Sequence, residues 1–201
     1  MAEVLVPAGR FVRWVANFED SHGPSTLKVD SGALDGRAVD GSRFTARLAF
    51  GTTYEGEPIA SPFANAAVVP EDWGVLLVRK GGFAIARLSG PSLTASKVGQ
   101  RHVQGRTKAG GQSQQRFARR RSNQARQAYQ AASDHATRLL AGLGPIVSGG
   151  DRVAVREVLA DPRLDALRPV ELWLPVPDPR RAVLERAIAD AQSLRVEVTN
   201  F

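Results

Sequence analysis

Residues 74–88, Gly-Val-Leu-Leu-Val-Arg-Lys-Gly-Gly-Phe-Ala-Ile-Ala-Arg-Leu, hold two apolar arms around a glycine turn. Val75 to Arg79 and Phe83 to Leu88 carry β-branched and aromatic side chains, and Lys80-Gly81-Gly82 supplies the reversal, so the stretch predicts a β-hairpin. Ser92 to Gln104 predicts a third strand of the same antiparallel meander. Residues 113–141 then run without glycine or proline and are rich in Ala, Gln and Arg, which predicts one long helix closed by Gly142 or by Gly144-Pro145. Phe117, Ala125, Ala128, Tyr129, Ala132, Ala136, Leu139 and Leu140 give that helix an apolar stripe, and arginines take its other faces.

Beyond the helix the pattern alternates. A short strand is predicted within Ile146 to Val155, a short helix over Val155 to Leu159, a buried strand over Val170 to Leu174, a helix over Pro179 to Gln192 and a last strand over Leu194 to Val198. Meander, long helix, then β-α-β-α-β is the element order of an α/β fold with a ribonuclease-H-like mixed sheet. Upstream, Pro7 is a favourable first-turn residue, and Phe11, Trp14, Val15 and Phe18 recur at helical spacing, so residues 7–22 predict an amphipathic helix ending near Gly23-Pro24. Residues 25–60 alternate short β-prone pieces, Thr26 to Val29 and Phe44 to Phe50, with Gly and Asp turns. The expected organisation is an N-terminal helix and small β-rich appendage over residues 1–70, either separate or part of the same domain, and a main domain over residues 71–201.

Charge is distributed unevenly along this chain. From Trp73 to Ser133 there is no aspartate or glutamate, whereas twelve basic residues fall there; the rest of the 201-residue chain holds fifteen basic against twenty acidic residues. Net charge +7 favours a polyanionic partner, since cations that neutralise phosphates release counterions. No apolar run approaches membrane-spanning length, and residues 1–20 do not resemble a secretory signal, so a soluble, cytoplasmic, monomeric protein is expected. The absence of cysteine excludes disulfides, thiolate zinc sites and cysteine nucleophiles. His22, His102 and His135 lack ligand spacing, and neither a metal nor a cofactor is expected.

Residues 105–121 concentrate the basic character around Gly110-Gly111-Gln112. Paired glycines permit close backbone approach, and the glutamine offers an amide donor and acceptor at the tip. The tripeptide lies between a predicted strand and a predicted helix N-terminus, where free amides and the helix dipole attract anions. Taken alone, a glycine pair before polar residues is an ordinary turn, and Arg119-Arg120-Arg121 is an ordinary solvated helix face. The flanking cations favour an exposed loop directed at RNA. A Gly-x-Ser-x-Gly elbow, a Walker loop and a dinucleotide fingerprint are all missing, which removes the common hydrolase, nucleotidase and dehydrogenase readings. A two-metal nuclease needs converging carboxylates, and the meander and long helix are nearly free of them. His102 reads as an ordinary strand residue.

Lys108-Ala109-Gly110-Gly111-Gln112-Ser113-Gln114, followed by an arginine-rich helix, is similar to the catalytic loop of translation release factors. The segment from Gly105 to Tyr129 after a β-meander most resembles the actinobacterial release-factor-like peptidyl-tRNA hydrolases, which are related to the catalytic domain of the eukaryotic ribosome-quality-control factor that frees nascent chains. The resemblance covers most of residues 70–201. It implies a hydrolase that enters a stalled large ribosomal subunit and discharges peptidyl-tRNA, with ribosomal RNA as the surrounding partner. Residues 71–201 would be its catalytic domain. Gly110, Gly111 and Gln112 would be catalytic, with Gln114 as the competing glutamine, because the wider family places glutamine three residues after glycine and Gly111 and Gln114 satisfy that spacing. Arg106, Lys108, Arg116, Arg119, Arg120, Arg121 and Arg126 would bind RNA. Two alternatives remain: a metal-independent nuclease acting on the tRNA acceptor end, and a non-catalytic ribosome- or RNA-binding factor.

Overall fold

A computed structural model of the chain describes residues 2–100 and 126–201 in full and places residues 112–125 in a helix without describing their side chains. Of the loop expected over residues 105–114, residues 105–111 lie outside the described residues, as does the end of the third meander strand beyond Gln100, whereas residues 112–114 are not loop but the first turn of a helix. The architecture is mixed α/β, with two five-stranded sheets and five α-helices among the described residues. The chain divides into two compact units, residues 1–69 with 189–201, and residues 70–188.

In the first unit, β1 (Ala2–Val6), β2 (Ser25–Asp30), β3 (Ala33–Ala38), β4 (Arg43–Arg47) and β10 (Leu194–Thr199) form a sheet in the order β1-β10-β4-β3-β2. Every pairing in it is antiparallel. One face is apolar and is covered by α1 (Phe11–His22) and α2 (Ala60–Asn65). The i, i+4, i+7 spacing of Phe11, Val15 and Phe18 puts all three on the buried side of α1. Phe44 of β4 is the centre of this core: the rings of Phe11, Trp14 and Phe18 meet it edge-on with centroids at 6.4, 5.1 and 5.1 Å. Edge-to-face pairs each add about 0.5–1.5 kcal/mol beyond area burial. The ring of Phe44 lies over Gly36 of β3, where a Cβ would stand 2.2 Å from its Cε1; only glycine leaves that space.

The second unit contains β5 (Asp72–Arg79), β6 (Gly82–Ser89), β7 (Ser92–Gln100), β8 (Pro145–Gly150) and β9 (Arg168–Leu174) in the order β7-β6-β5-β8-β9. The first three form the antiparallel meander predicted from sequence. β8 and β9 add in parallel on the far side of β5. α3 (Gln112–Leu140) and α4 (Arg152–Leu159) cover one face through Ala132, Ala136, Leu140, Ala154, Val155 and Val158, packed on Leu76, Val78, Phe83, Ile85 and Ile146. Asp151 caps α4, its Oδ1 accepting from the backbone N–H of Val153 at 2.9 Å and of Ala154 at 3.2 Å. α5 (Arg181–Ala191) buries Leu184 and Ala187, and its first residue, Arg181, donates to Ser96 Oγ of β7 at 3.0 Å.

One expectation is corrected. The last strand, read as the end of the β-α-β-α-β series, belongs to the first unit's sheet, where β10 lies between β1 and β4 and is antiparallel to both. Its residues explain the placement: Leu194 and Val196 are fully buried while Arg195, Glu197 and Thr199 alternate with them. A strand with one apolar and one polar face suits a sheet packed on one side only.

Candidate functional site

Gln112 and Gln114 of the predicted site lie on α3, and the half of that helix whose side chains are described shows how it is held. Ala128, Ala132 and Ala136 recur every four residues and are buried, so the helix approaches the sheet on a stripe of small side chains. Leu140 ends the stripe against Gly74, where an added Cβ would lie 2.7 Å from Leu140 Cδ2. Gly142, at φ +78°, follows directly and stops the helix, as the sequence predicts.

Polar contacts fix the same segment laterally. Arg163 lies in the turn after α4; its Nη2 donates to Asp134 Oδ1 of α3 at 2.9 Å and to Asp161 Oδ2 at 2.6 Å. Its Nε donates to Asp161 Oδ1 at 2.9 Å, making the Arg163–Asp161 contact bidentate. The guanidinium holds the Asp161 carboxyl down at about 2 and, with Gln130 donating as well, lowers that of Asp134. Within the core, Ser133 Oγ donates to the Val158 carbonyl at 3.4 Å, a second link between α3 and α4.

On the opposite flank His135 lies on the ring of Phe83, with centroids 5.5 Å apart. Phe83 in turn covers Gly99 of β7, where a Cβ would approach its Cε1 to 2.4 Å. Burial lowers the His135 pKa, and the charges of Arg138 and Lys97 lower it further against the opposing pull of Asp134. The lowered pKa favours the neutral ring, and its contact with Phe83 gives His135 a packing role.

Several of the sequence-predicted site residues lie in the N-terminal part of α3. Gln112 is the helix's first residue, and Gln114, Arg116, Arg119, Arg120 and Arg121 lie in its first ten positions; their side chains are not among the described ones. Gly110, Gly111, Arg106 and Lys108 lie outside the described residues. Arg126 is exposed on α3. From Gln112 to Ala128, the first buried residue described, is sixteen residues, about 24 Å at the α-helical rise of about 1.5 Å per residue. The residues that hold the helix, Arg163, Asp161 and Ser133, were not singled out from sequence. Asp161-Pro162-Arg163 does carry a signal, since an Asp before Pro marks a capped helical turn, and Asp161 accepts from the Arg163 backbone N–H at 3.0 Å.

Among the described residues no three histidine, aspartate or glutamate side chains converge in the manner of a metal site, and no helix is long and apolar enough to cross a membrane.

No curated protein matches the chain. Among solved structures, an archaeal translation termination factor, aRF1, aligns with 94% of this chain at 13% identity and a TM-score of 0.45, and the chain spans 64% of that protein's length. A structure described as the Vms1 mitochondrial localization core aligns with 85% of this chain and 78% of its own, at 12% identity and a TM-score of 0.43. Archaeoglobus fulgidus Pelota aligns with 94% and 62%, at 10% identity and a TM-score of 0.25. Residues 71–197, which take in the meander, all of α3 and the parallel strands, match the family described as the Actinobacteria/chloroflexi VLRF1 release factor. The chain belongs to that release-factor family.

Proposed function

We propose that the protein is a peptidyl-tRNA hydrolase that rescues stalled large ribosomal subunits, with Gly110-Gly111-Gln112 as its catalytic tip. The observation that carries this reading is the start of α3 at Gln112, directly after the glycine pair, inside the span that matches the release-factor family. The far end of the same helix is locked into the core by Ala132, Ala136 and Leu140. Such a helix presents its first residues to a partner about 30 Å from Ala132, the nearest of these anchors, at about 1.5 Å per residue. The strand order of the second unit, an antiparallel meander followed by parallel strands, supports describing that unit as ribonuclease-H-like.

A glutamine side chain cannot serve as a base at neutral pH. Its contribution is positional: the carboxamide orders a water beside the ester carbonyl, and amide donors stabilise the negative charge that develops on the carbonyl oxygen. Water then adds, the ester bond breaks, and the products are a free peptide carboxylate and a tRNA with its 3′ hydroxyl restored. Arg106, Lys108, Arg116, Arg119, Arg120, Arg121 and Arg126 supply the phosphate contacts that hold the tip in register, because phosphate contacts position without selecting.

The test is peptide release from peptidyl-tRNA on purified large subunits. Gln112→Ala is expected to leave subunit binding intact and to slow release about a hundredfold, the scale of losing one preorganised donor. A larger loss at Gln114→Ala moves the catalytic role to Gln114. Parental rates in both variants and in the double variant leave a docking factor in place of the hydrolase, and a tRNA product lacking its CCA end replaces ester hydrolysis by nucleolysis.

A further inference from the structure

The sheet of the first unit buries one face only. On the other face, next to the β3–β4 turn, the strand pairings put Thr199, Arg43, Arg37 and Thr26 side by side in one row across β10, β4, β3 and β2. Arg43 and Arg37 occupy directly opposed positions, which sets their Cβ atoms about 5 Å apart. Like charges so placed repel. Both are exposed, and neither makes an ion pair or a side-chain hydrogen bond among the described residues.

The neighbouring carboxylates are engaged elsewhere or face one another. Asp35, two positions along β3, accepts from Thr45 and pairs with Lys28 at 3.6 Å. Asp40, in the turn itself, lies 2.9 Å from His22 Nδ1 and accepts from the Ser42 backbone N–H at 2.7 Å. Glu197 stands opposite Glu3. The turn that joins the strands of the two arginines is thus tied to the end of α1 through Asp40 and His22, so the pair is held on a braced support.

We propose that this row is a phosphate-binding element for RNA, separate from the basic helix of the second unit. Two adjacent guanidiniums flanked by two hydroxyls form a donor row suited to consecutive phosphates, since Arg and Thr are ordinary phosphate ligands. The four residues of the row are polar, and the exposed apolar side chains Val39 and Phe201 lie at the adjoining turn. The unit as a whole carries seven basic and ten acidic side chains. It therefore does not draw RNA from a distance; the arginine row acts at contact, after the basic second unit has brought the molecule to RNA.

The experiment uses the full chain and a single-stranded homopolymeric RNA, with affinity measured over a range of salt concentrations. Arg37→Gln with Arg43→Gln should flatten the plot of log affinity against log salt by about 1.4, two phosphates at about 0.7 each. Arg37→Lys with Arg43→Lys should keep most of the slope, and Arg10→Gln with Arg13→Gln, two exposed arginines of the same unit, should keep all of it. Thermal stability of the glutamine pair should equal or exceed the parent's, because a repulsion is removed. An unchanged slope overturns the proposal, as does an equal loss in the Arg10/Arg13 control. If the RNA slope holds while binding to intact large subunits falls, the row meets an acidic protein surface and the RNA assignment is wrong. Peptide release plays no part in these readouts, so the outcome is independent of the catalytic assignment of Gln112.

Discussion

Arg163 donates a 2.9 Å hydrogen bond to Asp134 across twenty-nine positions of sequence, joining the turn after α4 to the C-terminal part of α3, the helix that opens at the candidate catalytic glutamine. All members of this cluster are at least partly open to water, with side-chain exposures of 52% for Arg163 and 40% for Asp134, so solvent weakens its contribution to global stability. Its effect is on the local rigidity of α3. In Arg163→Ala, amide exchange over residues 126–140 should speed up relative to the β5–β6 hairpin, with little change in melting temperature. Uniform exchange across both regions would show that the alanine stripe alone fixes the helix.

The same cluster makes part of the stability depend on acid. Asp161 and Asp134 have folded-state pKa values below the ordinary 3.8, about 2 for Asp161. Groups depressed in this way stabilise fully above the unfolded value and lose that contribution as pH falls through the folded one. The parent should therefore exceed Arg163→Gln in stability by a small margin above about pH 5, and the margin should close as pH falls from about 4 towards 2. Denaturant titrations at a series of pH values measure it. A margin that stays constant down to pH 2 would show that neither carboxylate is tied to folding.

Gly99 is required by the ring above it. Alanine there would place its Cβ 2.4 Å from Phe83 Cε1, and Phe83 is itself packed beneath His135. Overpacking of this kind costs about 1–3 kcal/mol. Chemical denaturation of Gly99→Ala should show that loss, and combining it with Phe83→Leu should recover part of it. Additive losses would mean that the cost of Gly99→Ala does not come from the Phe83 ring.

Replacing Arg119, Arg120 and Arg121 together with alanine should weaken binding to large subunits and reduce the salt dependence, because each phosphate that the helix no longer neutralises keeps about one counterion condensed on the RNA. Three successive helical residues fan around most of a turn, so the reduction should correspond to fewer than three phosphates. A salt slope equal to the parent's would assign the run to a solvated face.

Much of the second unit was legible because its local signals agree. The glycine turn at Gly81 and the apolar arms give the hairpin, and the uninterrupted stretch after Gly111 gives a helix whose observed limits, Gln112 to Leu140, differ from the expected ones by one residue at each end. In the first unit β3 was missed. Its sequence, Ala33-Leu34-Asp35-Gly36-Arg37-Ala38, has a glycine and small side chains where strand formers are usual, and it pairs as a strand between β2 and β4, where Gly36 leaves room for the Phe44 ring. That constraint is tertiary and leaves no periodic trace. The candidate tip was legible as a motif rather than as geometry: Gly110-Gly111-Gln112 is short and specific, whereas the clamp at the other end of α3 depends on Arg163 meeting a helix that precedes it by a full β-α unit. β10 was recognised as a strand and assigned to the wrong sheet, since alternation reveals that one face is buried without revealing against what.

The position of β10 also imposes an order on assembly. Among the described strands β1 has β10 as its sole neighbour, and Ala2 pairs with Val198, so the first strand of this sheet to leave the ribosome waits for the last. At about 5–20 residues per second that delay is roughly 10–40 seconds, and the second sheet has its last strand at Leu174, about 20 residues before β10 begins. A nascent chain therefore holds all five strands of its second sheet while β1 and β4 still lack the strand that joins them, and the first sheet closes only on molecules whose synthesis has run through residue 199.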